Sequence, residues 1–309
     1  MKILVTGGGG YLGSVLVPML LNAGHRVTAV DTFAHGVPSL AGRASDPNLK
    51  LVRADARSDE VLMLVREHDA LIPLAAVVGA AACERDPLTA ETLNREAVID
   101  LCCAASPDQL IISPCTNSGY GIGGEAECTE DSPLRPLSLY GRTKVEAESR
   151  ILKHPGGISL RLATLFGISP RMRLDLLVND FVYRAVHDRW IVLFERHFRR
   201  NFLHVQDAAR AFLFAVQHYD RMVGRAFNVG DTRANMTKEQ LVKMIFAELP
   251  GGIYMISDHG TDPDQRDYIV SNARIEALGW RPQHTLQEGI RELIHAYRGM
   301  PYERTQWRN

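Results

Sequence analysis

Residues 2–31, KILVTGGGGYLGSVLVPMLLNAGHRVTAVD, decide the fold of this chain. A short apolar run from Lys2 to Thr6 leads into four consecutive glycines, and the segment Tyr11 to Ala23 then carries apolar residues at helical spacing. Gly24 follows, as expected where a helix ends, and Arg26 to Val30 is a second apolar run. The order strand, glycine loop, helix, strand predicts the start of a parallel sheet covered by helices.

Short apolar runs recur along the rest of the chain, with helix-like segments between most of them. The runs are residues 49–53, 70–74, 109–113, 158–162 and 226–229. This alternation predicts an α/β fold, a Rossmann-type doubly wound parallel sheet with helices on both faces. After about Leu165 the pattern loosens, and it predicts further helices near residues 175–187, 205–219, 238–249, 273–278 and 286–298.

The predicted domain boundary is soft, because no linker, repeat or low-complexity tract divides the chain. We assign residues 1–165 to a dinucleotide-binding domain and expect residues 201–232 to return to it, since the run Ala226 to Val229 can join the first sheet. Residues 166–200 and 233–309 then form a smaller, interleaved α/β C-terminal substrate domain.

Composition excludes several classes of function. The 309 residues are 46% hydrophobic, and 35 basic against 36 acidic residues give a net charge of −1, so nothing argues for a nucleic acid or an anionic membrane as partner. The five cysteines fit neither a disulfide framework nor a zinc site, and the 11 histidines show no metal-binding spacing. With no secretory segment and no apolar stretch of membrane-spanning length, we expect a cytoplasmic protein with reduced thiols and no metal.

The glycine cluster lies in the context that a dinucleotide fingerprint requires, between a strand and a helix. Glycines allow a tight turn and a close approach of the backbone to a pyrophosphate, and Gly13 lets the helix pack closely on the strand. Asp31 ends the second strand, where a carboxylate bonds the adenosine ribose and repels a 2′-phosphate, which favours NAD over NADP. The alternatives are a glycine-rich turn without a ligand and, for Asp31, an ordinary turn residue.

Tyr140 and Lys144 are four residues apart in a helix-compatible segment, so they share one helix face. A lysine ammonium beside a phenol lowers the phenol pKa, and such a tyrosine can act as a general base. Alone, this pair is commonly found on solvated helix surfaces. Behind a dinucleotide site, we interpret it as catalytic.

At this point the chain resembles the extended short-chain dehydrogenases/reductases, specifically the NAD-dependent nucleotide-sugar epimerase/dehydratase family, with UDP-glucose 4-epimerase-like features. The similarity covers nearly the whole chain and includes Asp31 and Asn94. The motifs that carry it are TGGGGYLGS (6–14), LIPLAAVVG (71–79), ISPCTNSGYG (112–121), YGRTK (140–144), RNFLHVQDAA (200–209) and RIEALGWRP (274–282).

The resemblance implies a catalytic triad in which Thr116 joins Tyr140 and Lys144 and bonds the sugar hydroxyl being oxidised. It places Arg200 and Arg266 on the nucleotide diphosphate, with arginine suited to bidentate phosphate binding, and Asn179 on the nucleotide side of the substrate. With the fingerprint, the expected cofactor-binding residues are Gly7, Gly10, Tyr11, Leu12, Gly13, Asp31, Asp55, Ala56, Leu74, Ala75, Ala76, Asn94, Tyr140, Lys144 and Ala163. The alternative for the arginines is ordinary surface charge.

Two departures from the family pattern bear on the reaction. Dehydratases carry an acidic pair directly after the threonine, and decarboxylases a Glu two residues on, but this chain has Asn117 and Ser118. The 4-epimerases fit better, since they have small uncharged residues there. Pro73 replaces a family histidine, and the family Asn near Thr164 is absent.

These observations predict an NAD-dependent nucleotide-sugar 4-epimerase that works through a transient 4-keto intermediate. A 4-dehydrogenase or 4,6-dehydratase of the same family is one alternative, and a noncatalytic NAD-binding scaffold or sensor is another. His204 and Asp207 look like a catalytic pair but are expected to cap a helix, and Cys115 is expected to be a buried apolar residue. By resemblance, a homodimer would form through residues 91–105 and 140–153.

Overall fold

The computed structural model describes residues 1–36, 38–257 and 266–300. The strands are β1 (Lys2–Thr6), β2 (Arg26–Asp31), β3 (Leu49–Arg53), β4 (Ala70–Pro73), β5 (Leu110–Thr116), β6 (Ile122–Cys128), β7 (Gly157–Leu162), β8 (Thr164–Phe166), β9 (Trp190–Leu193), β10 (Arg199–His204), β11 (Arg225–Val229), β12 (Asn235–Thr237), β13 (Ile253–Ile256) and β14 (Asp267–Val270). The α-helices are α1 (Gly13–Asn22), α2 (Asp59–Val65), α3 (Ala80–Arg85), α4 (Pro87–Glu91), α5 (Ala97–Ala104), α6 (Leu139–Ile151), α7 (Leu177–His187), α8 (Val205–Gln217), α9 (Lys238–Glu248), α10 (Ala273–Ala277) and α11 (Leu286–Gly299).

Seven parallel strands form the main sheet in the order β11-β7-β5-β4-β1-β2-β3. From β1 the chain winds outward in both directions, so the strand order reverses between β1 and β4. In doubly wound sheets this reversal opens a crevice at the carboxyl ends of the strands, where ligands bind. The predicted Rossmann-type fold is confirmed.

Alternating residues of the central strands pack into two cores, one on each face of the sheet. Ile3 and Val5 belong to the larger core, which extends beneath the C-terminal elements, whereas Leu4 and Val30 belong to a smaller core under α2 and α5. This period of two, with both faces buried, is why the strands are nearly continuous apolar runs.

The C-terminal part is interleaved with the first sheet. β11 is the edge strand of the main sheet beside β7, as the run Ala226 to Val229 predicts, and α8 packs on α1. β10 instead lies between β8 and β12 in a separate sheet. Two further parallel pairs, β9 with β13 and β6 with β14, complete the described part of this region.

Among the predicted boundaries that differ from the structure, three lie next to the carboxyl edge of the main sheet. α1 begins at Gly13, two residues after the predicted Tyr11, because residues 7–12 form the turn between strand and helix. β4 ends at Pro73, and β5 runs on to Thr116, three residues past the prediction. The longer β5 carries Thr116 to the carboxyl edge of the sheet. Within residues 1–36, 38–257 and 266–300, no helix is long and apolar enough to span a membrane.

Candidate active site

A cavity of about 890 Å³ opens at the carboxyl edge of the main sheet, over the reversal point between β1 and β4. Its walls come from the glycine loop, the ends of β2, β4 and β5, the start of α6, and the loop after β8. Every expected cofactor-binding residue lines it except Asn94, and so do Thr116, Arg200 and Arg266. The positions singled out from distant parts of the sequence therefore meet in one place.

The glycine loop is shaped so that side chains are excluded from it. Gly7 has φ +72°, and a Cβ there would lie 2.6 Å from the Ala75 backbone nitrogen. A Cβ on Gly13 would overlap the Gly7 carbonyl oxygen and lie 2.7 Å from the Gly8 oxygen. The first turn of α1 thus starts directly against the loop, and the helix start lines the cavity at Leu12 and Gly13, which suits a pyrophosphate.

Asp31 is held in place at the end of β2. One carboxylate oxygen accepts from Gly9 N at 3.0 Å and the other from Phe33 N at 2.9 Å. Both oxygens keep further lone pairs, so the group can accept from a ribose diol while carrying the negative charge that disfavours a 2′-phosphate. With the loop, this carboxylate fits NAD.

Asp55 lines the same end of the cavity but is paired within its own loop. Arg57 donates to both of its carboxylate oxygens, with the shortest distance 2.6 Å, and these hydrogen bonds lower the pKa of Asp55. The Asp55 side chain is therefore an ionised wall of the cavity, rigidly held by Arg57.

Asn94 is not among the residues that line the cavity, and its predicted contact with the cofactor stays a prediction. Its amide is buried, accepts from Val77 N at 2.8 Å and donates to Val77 O at 2.8 Å. This pair of bonds fixes the backbone of the segment after β4, which itself lines the cavity. Asn94 acts by positioning that wall.

Thr116 ends β5 and begins a short 3-10 helix, Asn117–Tyr120. Its Oγ1 lies 2.9 Å from the Ser118 hydroxyl and accepts from Ser118 N at 3.2 Å. Asn117 is almost completely buried, and neither polar atom of its side chain has a hydrogen-bond partner. The threonine hydroxyl is thus oriented by neighbours that carry no charge.

Tyr140 and Lys144 both line the cavity from the first turns of α6, as the spacing predicts. Ser138 caps this helix and accepts from Gly141 N at 3.1 Å. Burial raises the pKa of Tyr140, while Arg173 and Arg266 act weakly in the opposite direction. Burial also lowers the pKa of Lys144. The expected lowering of the phenol pKa is wrong for the protein alone, because loss of hydration outweighs the nearby cations.

The expected substrate residues divide into two groups. Arg200 is buried at the cavity wall, with Nη1 donating to the Arg199 carbonyl at 3.2 Å, and Arg266 lies at the wall beside Tyr268. Asn179 is completely buried and does not line the cavity. Its amide accepts from Gly167 N at 3.0 Å and donates to the Arg173 carbonyl at 2.8 Å. These hydrogen bonds hold the loop after β8, and the predicted contact of Asn179 with the substrate stays a prediction.

Sequence reasoning missed the two arginines of that loop, Arg171 and Arg173. Both are buried and line the cavity. Arg173 forms a two-pronged ion pair with Asp175, with contacts of 3.0 and 2.6 Å. In the sequence the two arginines stand two residues apart in SPRMR (169–173). Nothing in the sequence alone places this segment near the glycine loop.

The remaining candidate residues are engaged within the protein. The His204 ring caps α8, as predicted, by accepting from Gln206 N at 3.3 Å. The sequence also predicts that Asp207 caps this helix, but its carboxylate accepts from the backbone nitrogens of Gln283 and His284 instead. Burial raises the pKa of the Cys115 thiol, which leaves it unreactive. Among the residues that the structure describes, no group of three or more His, Cys, Asp or Glu could hold a metal ion.

Comparison with known proteins shows what the whole chain is similar to. A profile of the NAD dependent epimerase/dehydratase family matches residues 3–230. The low-salt glycan biosynthesis protein Agl12 of Haloferax volcanii is 28% identical, over 97% of this chain and 99% of its own length. UDP-glucose 4-epimerase of Corynebacterium glutamicum is 27% identical, over 92% of each chain.

The crystal structure of dTDP-glucose 4,6-dehydratase from Bacillus anthracis in complex with NAD shares the fold, with a TM-score of 0.81 over 96% of both chains at 22% identity. Epimerases and a dehydratase thus lie at similarly low identity, so the likeness establishes a family and leaves the reaction open. Because the family profile covers most of the chain, this protein belongs to the NAD-dependent epimerase/dehydratase family of enzymes, with NAD as its cofactor.

Proposed function

We propose that the protein is a nucleotide-sugar 4-epimerase that works through a transient 4-keto sugar. The observation that supports this most strongly is the uncharged surrounding of Thr116, whose hydroxyl is oriented by Ser118 at 2.9 Å. Tyr140 and Lys144 complete the set on the same cavity wall. Oxidation and re-reduction at C4 require one proton acceptor and one hydride carrier, and need no second acid.

In this mechanism Tyr140 removes the proton of the C4 hydroxyl and later returns it, while Thr116 donates to or accepts from the same oxygen. When bound, NAD would supply the acceptor for the C4 hydride and the donor for its return. Lys144 would hold the nicotinamide ribose, and its positive charge and that of the nicotinamide would favour the Tyr140 phenolate.

Epimerisation also requires that the keto sugar rotate between the two hydride transfers, so that its other face receives the hydride, while its nucleotide stays bound. We assign the diphosphate to Arg200 and Arg266, which lie on the C-terminal side of the cavity. Charge-assisted bonds from arginine would hold the diphosphate and leave the sugar free to rotate.

A 4,6-dehydratase needs an acid near C6 in addition to the triad. The carboxylates at the nearby wall are already engaged, Asp175 by Arg173 at 2.6 Å and Asp180 by Arg184 at 2.7 Å. Asn117 and Ser118 cannot supply a proton at neutral pH. These observations favour epimerisation over elimination of water.

The test incubates the purified chain with NAD and a panel of UDP-, dTDP-, GDP- and CDP-sugars in deuterated water, followed by proton NMR and mass spectrometry. A C4 epimer without deuterium uptake is the expected product. A released ketone would instead identify a 4-dehydrogenase, and loss of water with deuterium incorporation a dehydratase. Binding without turnover of any sugar would favour a scaffold or sensor.

We also propose that the protein forms a homodimer through α5 and α6, which pack on each other along one side of the molecule. Light scattering of the purified protein should give twice the mass of the 34.3 kDa chain. A monomer across the micromolar range would refute this arrangement.

A further inference from the structure

Residues that follow β2 hold the glycine loop at Gly9. The backbone nitrogen of Gly9 donates to one oxygen of the Asp31 carboxylate at 3.0 Å, and the Gly9 carbonyl accepts from the Ser39 hydroxyl at 2.8 Å. A Cβ on Gly9 would lie 2.8 Å from Cε1 and 3.0 Å from Cδ1 of the Phe33 ring. The Phe33 ring therefore lies directly against Gly9, and a side chain at position 9 would collide with it.

Phe33 adopts a backbone conformation that its bulky side chain disfavours. Its φ is +52°, in the left-handed region that residues other than glycine rarely enter. In this conformation Phe33 N donates to the second oxygen of the Asp31 carboxylate at 2.9 Å, while the ring covers Gly9. Such strain persists only where surrounding contacts fix it, and it is concentrated at functional sites. The strained residue here is the one that joins Asp31 to the glycine loop.

These contacts fix the direction of the Asp31 carboxylate. Each of its oxygens accepts one backbone N–H, one from Gly9 beneath the ring and one from Phe33 itself, so rotation of the group would break both hydrogen bonds. Asp31 lines the cavity, and each oxygen keeps a lone pair for a ribose hydroxyl. Because the repulsion between like charges grows as their separation falls, a carboxylate that cannot turn away rejects a 2′-phosphate more strongly than a mobile one.

We propose that Phe33 is a positioning residue that fixes the Asp31 carboxylate and thereby sets the preference for NAD over NADP. Its ring acts through Gly9, by keeping the Gly9 N–H on one carboxylate oxygen, and its own N–H holds the other oxygen. The proposal rests on NAD as cofactor and on the expected contact of Asp31 with the adenosine ribose. It is independent of the sugar chemistry proposed above.

The test measures the Kd of NAD and the Kd of NADP by calorimetry on the full chain freed of cofactor. Phe33→Gly removes the ring, keeps the N–H and suits a positive φ. We expect NAD to bind about tenfold more weakly, as for one impaired hydrogen bond to a charged group, and the ratio of the NADP Kd to the NAD Kd to fall by a similar factor. Ala34→Gly is the matched control, because it adds backbone freedom at the exposed next residue, and it should leave the ratio unchanged. Asp31→Ala should lower the ratio further, and an unchanged ratio in that variant would refute the ribose contact and the proposal with it.

A double-mutant cycle tests whether the ring acts through Gly9. Gly9→Ala should weaken NAD binding in the otherwise unchanged protein, because the new Cβ meets the ring, but should change it by less than about twofold when Phe33→Gly has emptied that space. Gly8→Ala is the control, since its Cβ would lie 2.8 Å from the Ala29 Cβ and its effect should add to that of Phe33→Gly. Additive effects of Gly9→Ala and Phe33→Gly would overturn the proposal. So would an unchanged ratio of the two Kd values in Phe33→Gly, because Phe33 would then only stabilise the loop.

Discussion

The two ends of the cavity differ in what forms their walls. Backbone forms the cofactor end at the glycine loop, and side chains form the substrate end at Arg200 and Arg266. At the cofactor end the shape comes from backbone, with Gly7 at positive φ and Gly13 in contact with the loop's own carbonyls. At the substrate end it comes from long side chains, such as Arg200 and Arg266, carried by separate strands and loops. A backbone-built site is encoded in consecutive residues, whereas a side-chain-built site is assembled by the tertiary fold.

This difference also separates what each end tolerates. A methyl group added at Gly7 meets the backbone of Leu74 and Ala75, and one added at Gly13 meets the carbonyls of Gly7 and Gly8. An arginine exchanged at the substrate wall removes charge and hydrogen bonds but leaves the sheet intact. Tyr140 and Lys144 on α6, the proposed catalytic pair, line the same cavity.

The largest expected effect is the loss of kcat on substitution of Tyr140. Tyr140→Phe removes the proposed proton acceptor, and kcat should fall by roughly 10²- to 10⁴-fold, the usual contribution of general acid–base catalysis. The Kd for NAD should change little, because the ring is kept. Tyr219→Phe, at a 44% exposed position, is the control and should retain full activity. Turnover at the wild-type rate by the Tyr140 variant would refute the mechanism.

Gly13→Ala should break the cofactor end and spare the substrate end. The new Cβ would overlap Gly7 O, and overpacking of this kind costs about 1–3 kcal/mol. We expect the Kd for NAD to rise roughly 10- to 100-fold, together with a lower melting temperature. Gly42→Ala is the control, because a Cβ there meets nothing within 4 Å. Equal NAD binding by both variants would contradict the backbone-built account.

Arg266→Met should weaken binding at the substrate end of the cavity and leave the cofactor end unchanged. Loss of one charge-assisted contact to the diphosphate should raise KM for the nucleotide sugar by about tenfold or more, with an unchanged Kd for NAD. Steady-state kinetics and calorimetry on the same preparation separate the two quantities. A change in NAD affinity as large as the change in KM would show that the two ends are not separable at this residue.

The smallest effect concerns pH. Since burial raises the pKa of Tyr140, the phenol is protonated at neutral pH, and kcat/KM should increase as the pH rises. Lys144→Met removes the cation that favours the phenolate, so the rising limb should move to higher pH by about one unit or more. A pH profile identical to the wild type would show that Lys144 does not set the phenol ionisation.

The contrast between the two ends also explains how far the sequence could be interpreted. The strand, glycine loop and Asp31 follow from local chemistry, and the structure confirms their arrangement. The family resemblance assigns Asn179 to the nucleotide, but it cannot show that its amide also accepts from Gly167 N and donates to the Arg173 carbonyl. Arg171 could not be placed, since its approach to Ser14 depends on how the loop after β8 folds back across the sheet.

The Tyr140 pKa illustrates the same limit in energetic terms. The spacing to Lys144 gives the sign of one pairwise interaction, but burial is a property of the whole fold and here has the larger effect. Asn94 is a similar case, because the sequence does not show whether a buried asparagine amide faces a backbone segment or a ligand.

The most direct test of the central claim follows the C4 hydrogen itself. The nucleotide sugar that the enzyme converts is prepared with deuterium at C4 and incubated with the protein and NAD in ordinary water. The account predicts that the epimer retains deuterium at C4, because the hydride that is removed returns to the opposite face of the same sugar. Replacement of that deuterium by solvent hydrogen would contradict the proposed transient oxidation at C4.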